Sequence, residues 1–342
     1  MKNTIYQLVE PEIIEPKEVE VEANEGFVLV KPTHLSICHA DARYYWGERA
    51  KEVLRQKLPM ALIHEGIGDV VADPSGEFKP GDLVAMIPNT PEESDAIIGE
   101  NYLRTSRFRA SGFDGYMQSY VAMRKDRLVA LPEDIDRDVL AFLEICTVAY
   151  HIIDRFDKIA DGRRDVIGVW GEGNMGFITS LFLKYRFPQS KILIFGKSKK
   201  KMSEFTFADG MYSINEIPED VYVDHAFECV GGVKSGTAVN QMINEVIRPE
   251  GTIALSGVSE EYVPLHTRMI LEKGLRFYGS SRSGREDFIN TVEFYKTHPE
   301  VPALLSKSIG EVVEVHSVDN IHQAFELDME NRRRKTIIHW HL

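Results

Sequence analysis

Val166-Ile-Gly-Val-Trp-Gly-Glu-Gly-Asn-Met-Gly176 decides how this chain is read. An apolar run of strand type leads directly into Gly171-x-Gly173-x-x-Gly176, and Phe177-Ile-Thr-Ser-Leu-Phe-Leu-Lys184 continues as a helix. In a strand-turn-helix unit the first glycine makes the tight turn, the second lets backbone approach a pyrophosphate, and the third lets helix pack on strand. The helix N-terminus then faces the pyrophosphate charge. The stretch predicts a dinucleotide site at Gly171, Gly173, Asn174, Met175 and Gly176. A purely structural glycine turn is the alternative, and the flanking strand and helix weigh against it.

The next strand reads Lys191-Ile-Leu-Ile-Phe195 and ends on Gly196, where an acid would bind the adenosine ribose of NAD. Lys197-Ser198-Lys199-Lys200-Lys201 follows, cations and a hydroxyl where a 2'-phosphate would lie. The missing acid and the added bases both favour NADPH over NADH. A solvated basic loop is the plainer reading of the lysines.

At 342 residues the chain has room for two domains, and 43% hydrophobic with 27% charged residues describes a soluble globular protein. A net charge of -13 argues against a general nucleic-acid binder. No secretory signal or membrane-length apolar run is evident, so a cytoplasmic, non-membrane protein is expected. Only Cys38, Cys146 and Cys229 occur, too few and too scattered for a disulfide framework. Up to about residue 140 the pattern is β-rich, with runs such as Phe27–Lys31 and Asp82–Ile87. Residues 146–281 alternate strand and helix, with strands expected at Val166–Trp170, Lys191–Phe195, His225–Cys229 and Thr252–Ser256. The expected division is a β-rich domain from 1–145 and 282–342, and a doubly wound parallel-sheet domain from 146–281. An amphipathic Val318–Leu327 and a strand Lys335–His339 are expected to return to the first region.

Cys38, His64, Glu65 and Glu144 offer thiolate, imidazole and carboxylate, the donor types of a catalytic zinc site with one position open to water or substrate. They are distant in sequence, so spacing alone proves little: a lone cysteine such as Cys38 is more often a small buried hydrophobe, and His64-Glu65 can be an ordinary hydrogen-bonded pair.

In this order, ahead of the glycine turn, these segments resemble the zinc-dependent medium-chain alcohol and polyol dehydrogenases over almost the whole chain. His64-Glu65-Gly66-Ile67-Gly68 is similar to that family's Gly-His-Glu motif, with Ile63 in place of the leading glycine. The resemblance implies an α/β architecture with a GroES-like β-rich catalytic domain and a Rossmann domain. It implies zinc ligands Cys38, His64 and Glu144, with Glu65 at or just outside the metal. Residues Pro88 to Ser111 lack the four cysteines of the family's structural zinc lobe, so one catalytic ion per chain is expected. Ala40 stands where many relatives carry the hydroxyl that starts a proton relay. That leaves water held by Glu65, or the substrate's own hydroxyls, to carry the proton.

Segments of both domains resemble more closely the ribulose-5-phosphate reductases of the ribitol-phosphate teichoic-acid and capsule pathway. They include Cys38-His-Ala-Asp-Ala-Arg-Tyr-Tyr-Trp-Gly47, Leu58–Gly66, Glu100-Asn-Tyr-Leu-Arg104, Asp224–Gly232 and Gly279–Gly284. This implies NADPH-dependent reduction of D-ribulose 5-phosphate to D-ribitol 5-phosphate, beside a cytidylyltransferase partner. It also implies a homodimer or higher homo-oligomer. Arg43 and Arg104, then Arg107 and Arg109, are the candidates for the substrate phosphate. Cys229 and Gly231 are expected near the nicotinamide, with simple packing the alternative for Cys229. His39 is expected near the cofactor pyrophosphate, with simple exposure its alternative. The competing readings are a zinc-dependent NAD(P) dehydrogenase of an unphosphorylated polyol or alcohol, and a non-catalytic NADPH-binding protein.

Overall fold

The computed structural model describes residues 1–331 and 334–342. It divides into two compact units, Met1–Thr147 with Ser283–Leu342, and Val148–Arg282.

The first unit is built on a seven-stranded sheet whose centre is Phe27–Ser36. This strand pairs antiparallel with Glu65–Ala72, with Val121–Arg124 and with the C-terminal strand Lys335–Trp340. Its Val28, Leu29 and Val30 are all buried, as expected of a strand covered on both faces. Lys335–Trp340 also runs parallel to Ile309–Val315, so the end of the chain completes the sheet begun near residue 27. The helix Val318–Glu330 starts at Ser317, whose hydroxyl accepts from the Asn320 N–H. It buries Ile321, Ala324, Phe325 and Asp328, the spacing of one helical face. Phe325 stacks on Tyr45 with ring centroids 4.1 Å apart.

The second unit holds a six-stranded sheet in which every adjacent pair is parallel. In spatial order its strands are Gly210–Ser213, Lys191–Gly196, Val166–Trp170, His225–Glu228, Thr252–Leu255 and Arg276–Gly279. Val166–Trp170 is buried throughout, and Trp170 stacks on Phe195 at 3.9 Å. The direction of winding reverses between Val166–Trp170 and His225–Glu228, the point where such sheets open a crevice at their carboxyl ends. The two edge strands, Gly210–Ser213 and Arg276–Gly279, are additional to the four strands expected from sequence. They are short and only partly buried, so they lack the continuous apolar run that marks the interior strands.

Among the described residues no helix is long and apolar enough to cross a membrane.

Candidate active site

The glycine turn lies at the reversal point of the second unit. Gly171 has φ of 121°, and a side chain there would bring its Cβ within 2.7 Å of the Cys229 carbonyl oxygen. A Cβ on Gly176 would collide with the Gly171 carbonyl oxygen. Both positions therefore exclude larger residues, for backbone conformation at the first and for space at both. Gly173 precedes the helix Asn174–Arg186, which has no side-chain cap. Its first N–H groups, those of Asn174 and Met175 included, are thus suited to an anion.

Opposite this turn, Cys229 donates its backbone N–H to the Trp170 carbonyl at 2.8 Å. Its side chain is buried; the Ser256 hydroxyl donates to its sulfur at 3.4 Å, and burial pushes the thiol up to about 12. Cys229 thus contributes backbone to the crevice while its sulfur packs. The following turn, with Gly231 at φ of 74°, is held by a residue the sequence reading missed. The buried Glu228 carboxylate accepts from the N–H groups of Val230, Gly231 and Gly257 and from the Ser235 hydroxyl, at 2.7 to 3.0 Å.

Gly196 requires a correction to the expectation that its place lacks an acid. The Glu172 side chain, from within the glycine turn, reaches over to the end of this strand. Its Oε1 accepts from the N–H groups of Lys197 and Ser198, both at 3.3 Å. A Cβ on Gly196 would stand 2.7 Å from Glu172 Oε2. The glycine leaves the space that the carboxylate fills. Lys197 and Lys199 are exposed around it, and Ser198 caps the short helix Lys199–Met202 by accepting from the Lys201 N–H.

In the first unit, folding assembles Cys38, His64 and Glu65, whose donor atoms all lie within 4.8 Å of one another. Cys38 ends the loop before the helix His39–Tyr45, and His64-Glu65 opens the strand Glu65–Ala72. Ile63 adopts φ of 68°, a conformation a β-branched residue rarely takes. This is the place where the family motif has glycine, and here the strain is held by bonding. The Ile63 N–H donates to Asp41 Oδ1 at 3.0 Å, and its carbonyl accepts from Tyr116 at 2.7 Å.

Two further residues complete the group. Asp41, 1% exposed, faces His64 Nδ1 with its two oxygens at 3.0 and 3.2 Å. Burial alone would lower the His64 pKa, but Asp41 and the neighbouring Cys38 outweigh it and hold the imidazole well above its usual value. Lys335, 3% exposed, pairs with Glu65 Oε2 at 2.7 Å and donates to the Ile37 carbonyl at 2.8 Å. The Cys38 thiol is raised by desolvation and then by Glu65, with His64 and Lys335 pulling it back.

Glu144 is buried at the start of the helix Leu143–Ile159 but stands outside the mutual 4.8 Å group. Burial pushes its carboxyl up to about 7; His64 and Lys335 oppose the rise, and Glu65 and Asp41 add to it. It therefore shares the electrostatic field of the other donors.

The donor set fits a zinc ion. Thiolate, imidazole and carboxylate together match its ligand preferences. Glu65 Oε1 is buried without a hydrogen-bond partner among the described residues, and desolvation acts against both the Cys38 thiolate and the Glu144 carboxylate. A cation among them answers all three deficits.

Of the arginines considered for the substrate phosphate, Arg43 lies on the helix His39–Tyr45, with Nη2 3.4 Å from the Glu48 carbonyl. Arg104 is exposed. Arg107 lies over the Phe113 ring at 4.7 Å. Arg109 is committed to the carbonyls of Asp114 and Ala122, at 3.0 and 2.9 Å, which leaves it a structural part. His39, the first residue of its helix, is exposed.

The alcohol dehydrogenase GroES-like domain family matches residues 24–133. Ribulose-5-phosphate reductase of Bacillus spizizenii is 52% identical over 342 residues, covering 100% of each chain. Ribulose-5-phosphate reductase 1 of Staphylococcus aureus is 47% identical over 99% of each. The crystal structure of S. aureus TarJ in complex with NADPH superposes with a TM-score of 0.90 at 43% identity, covering 100% of both chains. With a GroES-like unit, a Rossmann-type unit and full-length relatives at this identity, the chain belongs to the ribulose-5-phosphate reductases of the medium-chain dehydrogenase/reductase family and is an oxidoreductase.

Proposed function

We propose that this enzyme uses NADPH to reduce the C2 carbonyl of D-ribulose 5-phosphate, giving D-ribitol 5-phosphate and NADP. The observation that carries the reading is the meeting of half-buried Cys38 with buried His64 and Glu65 in a chain 52% identical to a ribulose-5-phosphate reductase. The NADPH complex of TarJ supports the choice of cofactor.

Cys38, His64 and Glu144, with Glu65 beside them, would hold the zinc ion, which supplies Lewis acidity toward the substrate carbonyl. NADPH supplies the hydride to C2. Asp41 fixes the His64 ring through Nδ1, which leaves Nε2 as the donor nitrogen. Lys335 holds Glu65 by one oxygen and leaves Oε1 available to order water. With Ala40 in the relay position, a proton delivered by that water, or by a neighbouring substrate hydroxyl, completes the new hydroxyl at C2. Arg43 is the first choice for the substrate phosphate. The product would serve a cytidylyltransferase in ribitol-phosphate supply for teichoic acid or capsule, and a homodimer or higher homo-oligomer is the proposed assembly.

The test compares ribulose 5-phosphate, free ribulose and other free ketoses with NADPH and with NADH. The expected result is ribitol 5-phosphate formed with NADPH, and a kcat/KM at least about 100-fold lower for free ribulose. Equal turnover of free and phosphorylated ketose would replace this reading with a polyol dehydrogenase.

A further inference from the structure

A second group of histidines and carboxylates in the first unit shares no residue with the Cys38 group. Sheet register creates it. Glu314 pairs with His339, and His339 with His34, across three neighbouring strands. Directly paired residues project to the same face, so the three side chains stand in a row. Asp138, from the helix Arg137–Ala141, reaches this row. Its Oδ1 lies 2.7 Å from His339 Nε2 and 3.9 Å from His34 Nε2. The two imidazole rings are 4.6 Å apart.

Two features point to a metal ion. The donor atoms of His34, Asp138 and His339 all lie within 4.8 Å of one another. Ligands about 2.0–2.1 Å from a tetrahedral ion stand about 3.3 Å apart, a value that the 2.7 and 3.9 Å separations straddle. Second, His339 has a carboxylate at each ring nitrogen, with Glu314 Oε1 2.7 Å from Nδ1. A neutral imidazole has one N–H, so one of these contacts sets a lone pair against a carboxylate unless a proton or a metal ion lies between. With Nδ1–H donated to Glu314, Nε2 presents its lone pair beside Asp138, the carboxylate–histidine–metal arrangement. His34 supplies the second ring nitrogen, its Nε2 facing the same Asp138 oxygen. The nearby Arg137 is engaged by Asp69 at 3.2 Å.

We propose that His34, Asp138 and His339 form a second site for zinc or a similar divalent transition-metal ion, with Glu314 orienting His339. The ion would tie the C-terminal strand to Phe27–Ser36 and to the helix Arg137–Ala141. It would be additional to the ion proposed at Cys38, and its ligands are unlike a cysteine lobe.

The test is the metal content of the full-length enzyme after equilibration with micromolar free zinc. Wild type is expected to hold two ions per chain, and His339→Gln and His34→Gln one each, with NADPH-dependent reductase activity unchanged. Cobalt substitution separates the sites, because thiolate-to-cobalt absorption from Cys38 persists in both variants while a nitrogen- and oxygen-ligated centre disappears. Glu314→Gln is expected to weaken the second ion by about 10-fold or more. If His339→Gln fails to fold, His34→Gln and Glu314→Gln carry the test. The proposal is overturned if wild type holds one ion, if these variants hold as many as wild type, or if the loss follows His316→Gln in the neighbouring exposed Glu314–His316–His341 group.

Discussion

Glu172 places a negative charge where the adenosine phosphate of NADPH is proposed to bind, on the N–H groups of Lys197 and Ser198. A carboxylate there competes with a 2'-phosphate for the same donors. Glu172→Gln is therefore expected to tighten NADPH binding by about threefold to tenfold, as removal of one partly screened like charge would. The change for NADH should be smaller. Titration of both cofactors by fluorescence checks this, and weaker NADPH binding in the variant would show that the carboxylate holds the cofactor instead. Asp41→Asn is expected to lower zinc affinity by about 10- to 100-fold, because the ring of His64 loses its charged orienting partner. Competition with a chelator of known affinity measures it. At this scale the sequence makes residue types legible and their partners obscure. Cys38, His64 and Glu65 are legible as donor types, and as one set only through the family resemblance. Lys335 reads as an ordinary lysine because its partner Glu65 is reached only through tertiary folding. Glu172 is hidden by the same cause, since the strand ends at Gly196 and the acid arrives from another loop.

At the scale of elements, the interior strands Val166–Trp170 and Lys191–Gly196 are evident as unbroken apolar runs, which two-sided burial requires. Edge strands carry no such signal, and Gly210–Ser213 and Arg276–Gly279 emerge only with the coordinates. The turn after His225–Glu228 depends on one buried carboxylate that satisfies three backbone N–H groups. Glu228→Ala should leave those donors unpaired and cost about 1–3 kcal/mol of stability. It should also weaken NADPH binding, as the turn carrying Gly231 loosens. Denaturant unfolding and cofactor titration of the same variant report the two effects. An unchanged unfolding midpoint would show that water replaces the carboxylate without loss.

For the whole molecule, the metal-free protein should be sensitive to pH in a defined direction. Glu144 is raised from 4.5 to about 7 in the folded chain, chiefly by burial. The folded state therefore retains a proton that the unfolded state has released. The stability gained is fully present below about 4.5 and is lost as pH rises through about 7. Chelator-treated protein should melt at progressively lower temperature across that window, and Glu144→Gln should flatten the dependence. Because the metal donors lie in one compact unit and the glycine turn in the other, the two ligands should also protect different segments from hydrogen exchange. Zinc should protect the residues around Cys38 and His64, and NADPH those around Gly171 and Cys229.

The most direct test measures bound zinc and ribulose-5-phosphate-dependent NADPH oxidation on the same preparations, before chelation, after it, and after zinc is restored. Loss and recovery of the rate in step with zinc at Cys38, with Cys38→Ala inactive at every zinc level, is the predicted result. Full activity in metal-free enzyme, or in Cys38→Ala, would contradict the account.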